Sequence, residues 1–375
     1  MDERKIAFIH DWLAVKGGAE KVLEAALELY PEAPIYTLVH KPEVFADSPL
    51  YSRKIIPSRI DRLPFARNRY RLYLPLMPLA VEQFDLRAFE VLVSMSDAVA
   101  HGVLTAPDQL HVNYVFTPMR YAWRLHHEYL EGQGFNRGLR GMAARLILHY
   151  LRLWDFAASR RVDEFIACSK WIARDIWRVY RRTAEVIYPP VEVDRFNPLR
   201  KRDDFYLAVT RLVPYKRLGL LVEAFNELKL PLRIVGSGPE FGKLKKRSGP
   251  NIELLGWRPQ SEVTDLLERA RGFVHAAEED FGIAPVEALA AGCPVIAYAR
   301  GGVLESVVDG ETGLFFSRPE VPDLIEAIRR IQEGEIRFDP ARLHASAERF
   351  RKERFQEEFS SFVSRTWDAF SQTEV

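Results

Sequence analysis

Glu279 and Glu287 lie eight residues apart in the run HAAEEDFGIAPVEALAAGCPVIAYARGG, residues 275–302. The apolar stretch at 272–275 predicts a buried strand that runs into this acidic loop. Pro285 suits the first turn of a helix reaching to about Ala291, and Gly292 suits its end. A second strand over 294–299 closes at Gly301-Gly302. A helix N-terminus presents unpaired N–H groups and favours an anion. Two acids beside such a terminus make sense if they accept hydrogen bonds from hydroxyls of a ligand whose phosphate sits between them. A nucleotide-sugar has that layout. The alternative is a solvated loop acid at Glu279 and a helix-face acid at Glu287.

Positive charge comes from the loop TRLVPYKR at 210–217, directly after a predicted strand over 205–210. A departing diphosphate needs cations on its oxygens. Arg211 can bind it bidentately and Lys216 can act as a point charge, unless both are simply solvated. Gly17 and Gly18 follow the first predicted strand, where a glycine lets a backbone N–H approach a phosphate or merely makes a turn. Gly236 and Gly238 resemble part of a dinucleotide fingerprint, but Phe241 stands where the third glycine belongs. They read as a tight βα turn facing the ligand. His10 ends the first strand and can face the crevice, while His101, His126 and His127 are weaker candidates. No Ser/His/Asp arrangement, P-loop or metal-ligand spacing is visible, and Cys168 and Cys293 stand too far apart for a metal or disulfide framework. They read as buried free thiols in a reducing compartment.

The elements that must hold these residues alternate. In the first half, strands are predicted at 5–10, 91–94, 112–116, 164–168 and 184–188, with helices at 19–30, 137–160 and 170–180. In the second half, strands are predicted at 205–210, 232–236, 252–255, 272–275 and 294–299, with helices between and an amphipathic helix at the tail. This alternation predicts a doubly wound parallel sheet in each half. Pro189-Pro190 and Asn197-Pro198 mark a linker. A chain of 375 residues suits two or three domains. A formal net charge of +1 argues against nucleic-acid binding by bulk charge. No run nears the roughly 18 apolar residues of a membrane span, and the N-terminus lacks a signal-peptide pattern, so a cytoplasmic protein is expected. Residues 52–78 mix Arg53, Lys54, Arg59, Arg62, Arg67, Arg69 and Arg71 with Phe65, Leu72, Leu76 and one acid, Asp61. Such a segment can meet an anionic membrane surface, bind a phosphorylated acceptor, or be a solvated loop packed on its own core.

Together these pieces resemble the retaining glycosyltransferases of family 4. The carriers are GGAE at 17–20, TPMRYAW at 117–123, TRLVPYKR at 210–217, GSGPE at 236–240, EEDFGIAPVEALAAGCPVIA at 278–297 and GGVLESVVDGETGLFF at 301–316. The resemblance implies the GT-B fold, two Rossmann-like domains facing a cleft. Residues 1–190 would bind the acceptor, 191–350 the nucleotide-sugar, and 351–375 would form a helix crossing back to the first domain. Arg211 and Lys216 would stabilise the leaving diphosphate, Glu279 would bind donor-sugar hydroxyls and Glu287 the ribose. Gly17, Gly18, Gly236, Gly238, Phe281, Gly282 and Ile283 would line the donor, with His10 and Arg120 on the acceptor or donor-sugar side. The family needs no metal or other cofactor. TPMRYAW and LVPYKR are most similar to mannosyltransferase-like enzymes of surface-polysaccharide and lipopolysaccharide assembly. That implies a GDP- or UDP-hexose donor, a glycan or polyprenyl-linked glycan acceptor, and a peripheral membrane site. Related enzymes carry a His before the TPMR motif, but Phe116 stands here, so a non-catalytic sugar- or partner-binding subunit is the alternative. A dinucleotide oxidoreductase lacks its full fingerprint, and a phosphorylase or epimerase on the same fold would differ in its products.

Overall fold

Strands buried on both faces need helical cover on both sides, and a parallel sheet supplies it. The computed structural model describes residues 4–132, 134–135 and 137–373. Two such sheets are present. One joins β1 (Ile6–His10), β2 (Ile35–Thr37), β3 (Ile55–Pro57), β4 (Val91–Ser96), β5 (Leu110–Val115), β6 (Glu164–Ala167) and β7 (Glu185–Val186) in the order β3-β2-β1-β4-β5-β6-β7. The other joins β8 (Tyr206–Val209), β9 (Leu232–Val235), β10 (Ile252–Gly256), β11 (Gly272–His275), β12 (Val295–Tyr298) and β13 (Gly313–Phe316) in the order β10-β9-β8-β11-β12-β13. Every pairing is parallel. β1, β4, β5, β11 and β12 are buried along their whole length.

The chain divides into two compact units. Unit 1 holds residues 1–188 and 355–375, and unit 2 holds 189–354. The last helix, Lys352–Thr373, starts in unit 2 and belongs to unit 1 from Phe355 onward. It buries Phe355, Phe359 and Val363 there, with Phe355 edge-on to Tyr114 of β5. In each sheet the connections run outward one way and then the other. The order therefore reverses between β1 and β4, and again between β8 and β11. Ligands of doubly wound sheets bind at the carboxyl ends of such a pair.

Local sequence explains the helix starts. Ser169 caps the helix Lys170–Tyr180 by accepting from Ile172 N–H at 3.1 Å. Glu20 reaches back to Gly17 N–H at 2.8 Å and caps the helix Gly18–Leu29. Cys168 and Cys293 are buried and neither is in a disulfide, and burial pushes the Cys293 thiol up to about 12.

Three strands, β2, β3 and β13, lie where the sequence led us to expect none. Segment 52–78 is not a plain loop. It supplies β3 and the short turns Arg59–Arg62, Ala66–Arg69 and Tyr70–Leu76. The helix expected to open at Pro285 opens two residues earlier, at Ile283, because Gly282 turns the chain there with φ 91°.

Candidate functional site

In unit 2 the loops leaving β8 and β11 carry Arg211, Lys216 and Glu279. Lys216 ends the short turn Pro214–Lys216, and Arg217 follows in a left-handed conformation, φ 53°. The Arg217 guanidinium lies 5.0 Å from the Tyr298 ring centroid and anchors this turn to β12. Lys216 is only 9% exposed. Its ammonium forms an ion pair with the Glu279 carboxylate. The two loops are thus joined by charge at the switch point. Arg211 stays exposed and donates to the Tyr215 hydroxyl at 2.9 Å.

Glycines set the backbone around this pair. Gly302 N–H donates to Glu279 O at 2.8 Å, and Gly301 bridges the same residue. Gly236 and Gly238 serve the neighbouring loop. Gly236 has φ 140°, and a Cβ there would stand 1.8 Å from Thr210 O; one on Gly238 would stand 2.4 Å from Leu212 O. Their immediate task is close approach of the β9 loop to the loop bearing Arg211 and Lys216. Gly236→Ala is therefore expected to cost about 2–3 kcal/mol of stability through backbone strain and collision. A urea unfolding curve superposable on that of the parent protein would contradict it.

The helix Ile283–Ala290 starts beside Glu279 with no side chain capping it. Phe281 is buried against Phe350, with ring centroids 5.4 Å apart, so its backbone is what it can offer a ligand. Glu287 is buried and accepts from Arg195 Nη2 at 3.0 Å. Arg195 also pairs with Glu192 and lies over the Phe196 ring. Nothing in the sequence pattern pointed to Arg195. His275, at the end of β11, is also new. Burial, then the nearby charge of Lys216, hold its imidazole down to about 3. It is neutral, and its buried Nε2 lacks a hydrogen-bond partner. The signal for it was its place at a strand end.

In unit 1, His10 ends β1 and is buried. Its Nδ1 lies 3.1 Å from Met95 O, and its Nε2 lies 3.6 Å from Glu20. Burial opposes its protonation, but Glu20, Asp11 and Asp97 together raise its pKa above the ordinary value. Phe116 stands edge-on to the His10 ring at 6.3 Å. His10 thus sits beside the position where the resemblance calls for a histidine. Arg120 lies close enough to Asp97 for its charge to act on that carboxyl. Gly17 is extended, with φ −150°, and its N–H is taken by Glu20, while Gly18 is the first residue of its helix. His101 is elsewhere, in the core against Asp155 and Trp154, and His126 and His127 open a short helix. Of the basic segment, Arg53 donates to Leu27 O at 2.7 Å and Arg67 pairs with Asp61 at 2.7 Å, so both serve the fold. Among the described residues, no group of three or more His, Cys, Asp or Glu could hold a metal ion.

Comparison with known proteins places this geometry. Residues 191–352 match the family model for glycosyl transferases group 1. An uncharacterized glycosyltransferase of Methanocaldococcus jannaschii is 30% identical over 185 residues, covering 48% of this chain and 52% of the relative. A GDP-mannose-dependent phosphatidylinositol monomannoside mannosyltransferase of Mycolicibacterium smegmatis is 31% identical over 192 residues, covering 43% and 49%. The chain thus spans about half the length of the curated relatives it matches. Anabaena HepE in complex with UDP superposes with a TM-score of 0.70 at 15% identity, over 96% of this chain and 100% of that one. Sucrose-phosphate synthase from Thermosynechococcus elongatus superposes with a TM-score of 0.71 at 17% identity, over 98% and 100%. The fold is GT-B, and residues 191–352 of unit 2 carry a glycosyl transferases group 1 domain.

Proposed function

We propose that the protein is a retaining glycosyltransferase. It moves a hexose, mannose in the favoured reading, from a GDP- or UDP-hexose to a hydroxyl of a glycan or polyprenyl-linked glycan. One observation carries the reading: the Lys216–Glu279 pair at the β8/β11 switch point, beside an uncapped helix N-terminus. The mannosyltransferase name of one relative and the UDP bound to HepE support a nucleotide-sugar donor. When the donor binds, its diphosphate competes with Glu279 for Lys216. The ammonium turns to the phosphate, and the freed carboxylate accepts from sugar hydroxyls. Arg211 adds a second cation, so the leaving charge is met by side chains and a helix terminus. The bond from the anomeric carbon to the β-phosphate oxygen breaks as the acceptor oxygen bonds to the same face. The leaving phosphate takes the acceptor proton. Glu287 holds the ribose, with Arg195 fixing its orientation.

Thermal shift of the full chain against GDP, UDP, ADP and their hexose conjugates tests the donor. A ligand at about 100 times its dissociation constant adds about 2.7 kcal/mol. Glu287→Ala is expected to weaken the preferred nucleotide about 10- to 100-fold, the worth of a charged hydrogen bond. No response to any nucleotide would leave the non-catalytic subunit, for which Phe116 is the favouring observation. An inverted anomer in the product would remove the retaining mechanism alone. No helix among the described residues is long and apolar enough to cross a membrane. The exposed Lys54, Arg59, Arg62, Arg69 and Arg71 suit peripheral contact with an anionic surface, where a lipid-linked acceptor would lie.

A further inference from the structure

His275 closes β11 with its side chain buried, the residue 5% exposed. A buried histidine is ordinarily hydrogen-bonded at both nitrogens, because a polar atom left unpaired away from water costs stability. This one is satisfied on one side only. The ring bonds the backbone of Ala277, and that bond favours the protonated form, so the ring is the donor. Nε2 has no partner among the described residues, which makes Nδ1 the donating nitrogen and leaves Nε2 a bare lone pair. Burial and the charge of Lys216 keep the ring neutral, so no second proton covers that lone pair.

A cavity of about 10 Å³ is lined by His275 and Lys216 together. Leu218, Leu221 and Val274 give it apolar walls, and Thr210 also lines it. Such a volume suits one water, which needs two to four polar partners to stay there. Nε2 can accept from it, the Lys216 ammonium can donate to it, and Thr210 offers a hydroxyl. His275 and Glu279 would then hold the same ammonium in different ways. Glu279 is an anion and competes with a diphosphate for it. A neutral imidazole restrains the ammonium without cancelling its charge. Lys216 carries that charge on a flexible four-carbon stem, so a second anchor matters most when Glu279 lets go.

We propose that His275 is a positioning residue for Lys216: its Nε2 seats one water in this cavity, and that water holds an N–H of the ammonium as Lys216 turns from Glu279 to the diphosphate. The effect on turnover rests on the sugar-transfer reading above, whereas the contact itself does not. Nuclear magnetic resonance of the full chain with nitrogen-15-labelled histidine reads the contact directly. A neutral ring with its proton on Nδ1 is expected, and its Nε2 signal, assigned by its loss in H275Q, should move in Lys216→Met. A proton on Nε2 overturns the proposal, as does an Nε2 signal that Lys216→Met leaves in place. In steady-state kinetics H275L should lower kcat about tenfold with KM changed little, the worth of one hydrogen bond to a charged group. H275Q, whose amide oxygen can accept in place of Nε2, should regain most of the loss. In the Lys216→Met background H275L should cost no more than about twofold, because its effect passes through the missing ammonium. Independent, multiplying losses overturn the positioning role, as do equal losses in H275L and H275Q at an unchanged melting temperature. If H275L melts early, H275M replaces it. Nucleotide thermal shift on the same preparations keeps the readings apart. No response of the parent protein to any nucleotide defeats sugar transfer, and the resonance experiment still decides whether His275 and Lys216 are joined.

Discussion

Lys216→Met should lower kcat about 100- to 1,000-fold, the usual cost of removing one preorganised charge from a developing anion. The length of the side chain is kept, so its chain still reaches the Tyr215 ring, 5.1 Å from the ammonium, and the buried volume changes little. What is lost is a cation that the fold holds nearly out of water at the β8/β11 switch point. Low exposure matters because a charge screened by solvent contributes far less. Arg211 is exposed and should not compensate. The pair with Glu279 sharpens the expectation. In this structure the ammonium already has a carboxylate partner, so substrate binding gains little from exchanging one anion for another. The benefit comes as the diphosphate gains charge in bond cleavage. The loss should therefore fall on kcat and on kcat/KM alike, with KM changed little. Steady-state kinetics with the donor found by thermal shift check this. A variant that loses only KM would mean that Lys216 binds donor and transition state equally. A turnover within threefold of the parent would remove Lys216 from the chemistry.

The sequence made strand ends legible more readily than partners. β11 and the helix Lys170–Tyr180 match the expected spans residue for residue, because an apolar run or a capping serine marks them. β2 and β3 were illegible because three residues each is too short a run to show a period, and β3 sits inside a run of cations. β13 hides behind Gly313, which reads as part of a turn. The same limit applies at the site. Arg211, Lys216 and Glu279 follow strands, so their arrival near one place could be anticipated. That Lys216 would be neutralised by Glu279 could not, since no local pattern sets side-chain direction across 63 residues. Arg195 meets Glu287 across 92 residues and lies just past a proline break that read only as linker. Gly236 looked like a ligand-facing turn, yet its φ and its approach to Thr210 give it a structural reason of its own.

Asp11 shows how much stability such an unanticipated contact can hold. Its carboxylate is 1% exposed and accepts four backbone N–H groups just beyond β4. Oδ2 takes Asp97 at 2.7 Å and Ala98 at 2.9 Å; Oδ1 takes Val99 at 2.6 Å and Ala100 at 2.8 Å. These bonds fix the turn Ala100–Gly102 and join the end of β1 to the end of β4, beside His10. Asp11→Asn keeps the shape but turns one acceptor oxygen into an NH2 group. Two backbone donors would then face a donor with no water in reach. Hydrogen bonds to a charged acceptor are worth about 1.5–3 kcal/mol each, so the substitution should cost unit 1 about 3–5 kcal/mol. Asp11→Ala should cost more, because all four N–H groups lose their partner. The chain has two units, so a single midpoint mixes them. Hydrogen exchange of the full chain resolves the effect, with amides at 97–100 and along β1 and β4 exchanging faster in Asp11→Asn while β8 to β13 keep their protection. Uniform loss across both units would point to global unfolding, and unchanged exchange at 97–100 would show that the four bonds contribute little beyond what water offers in the unfolded chain.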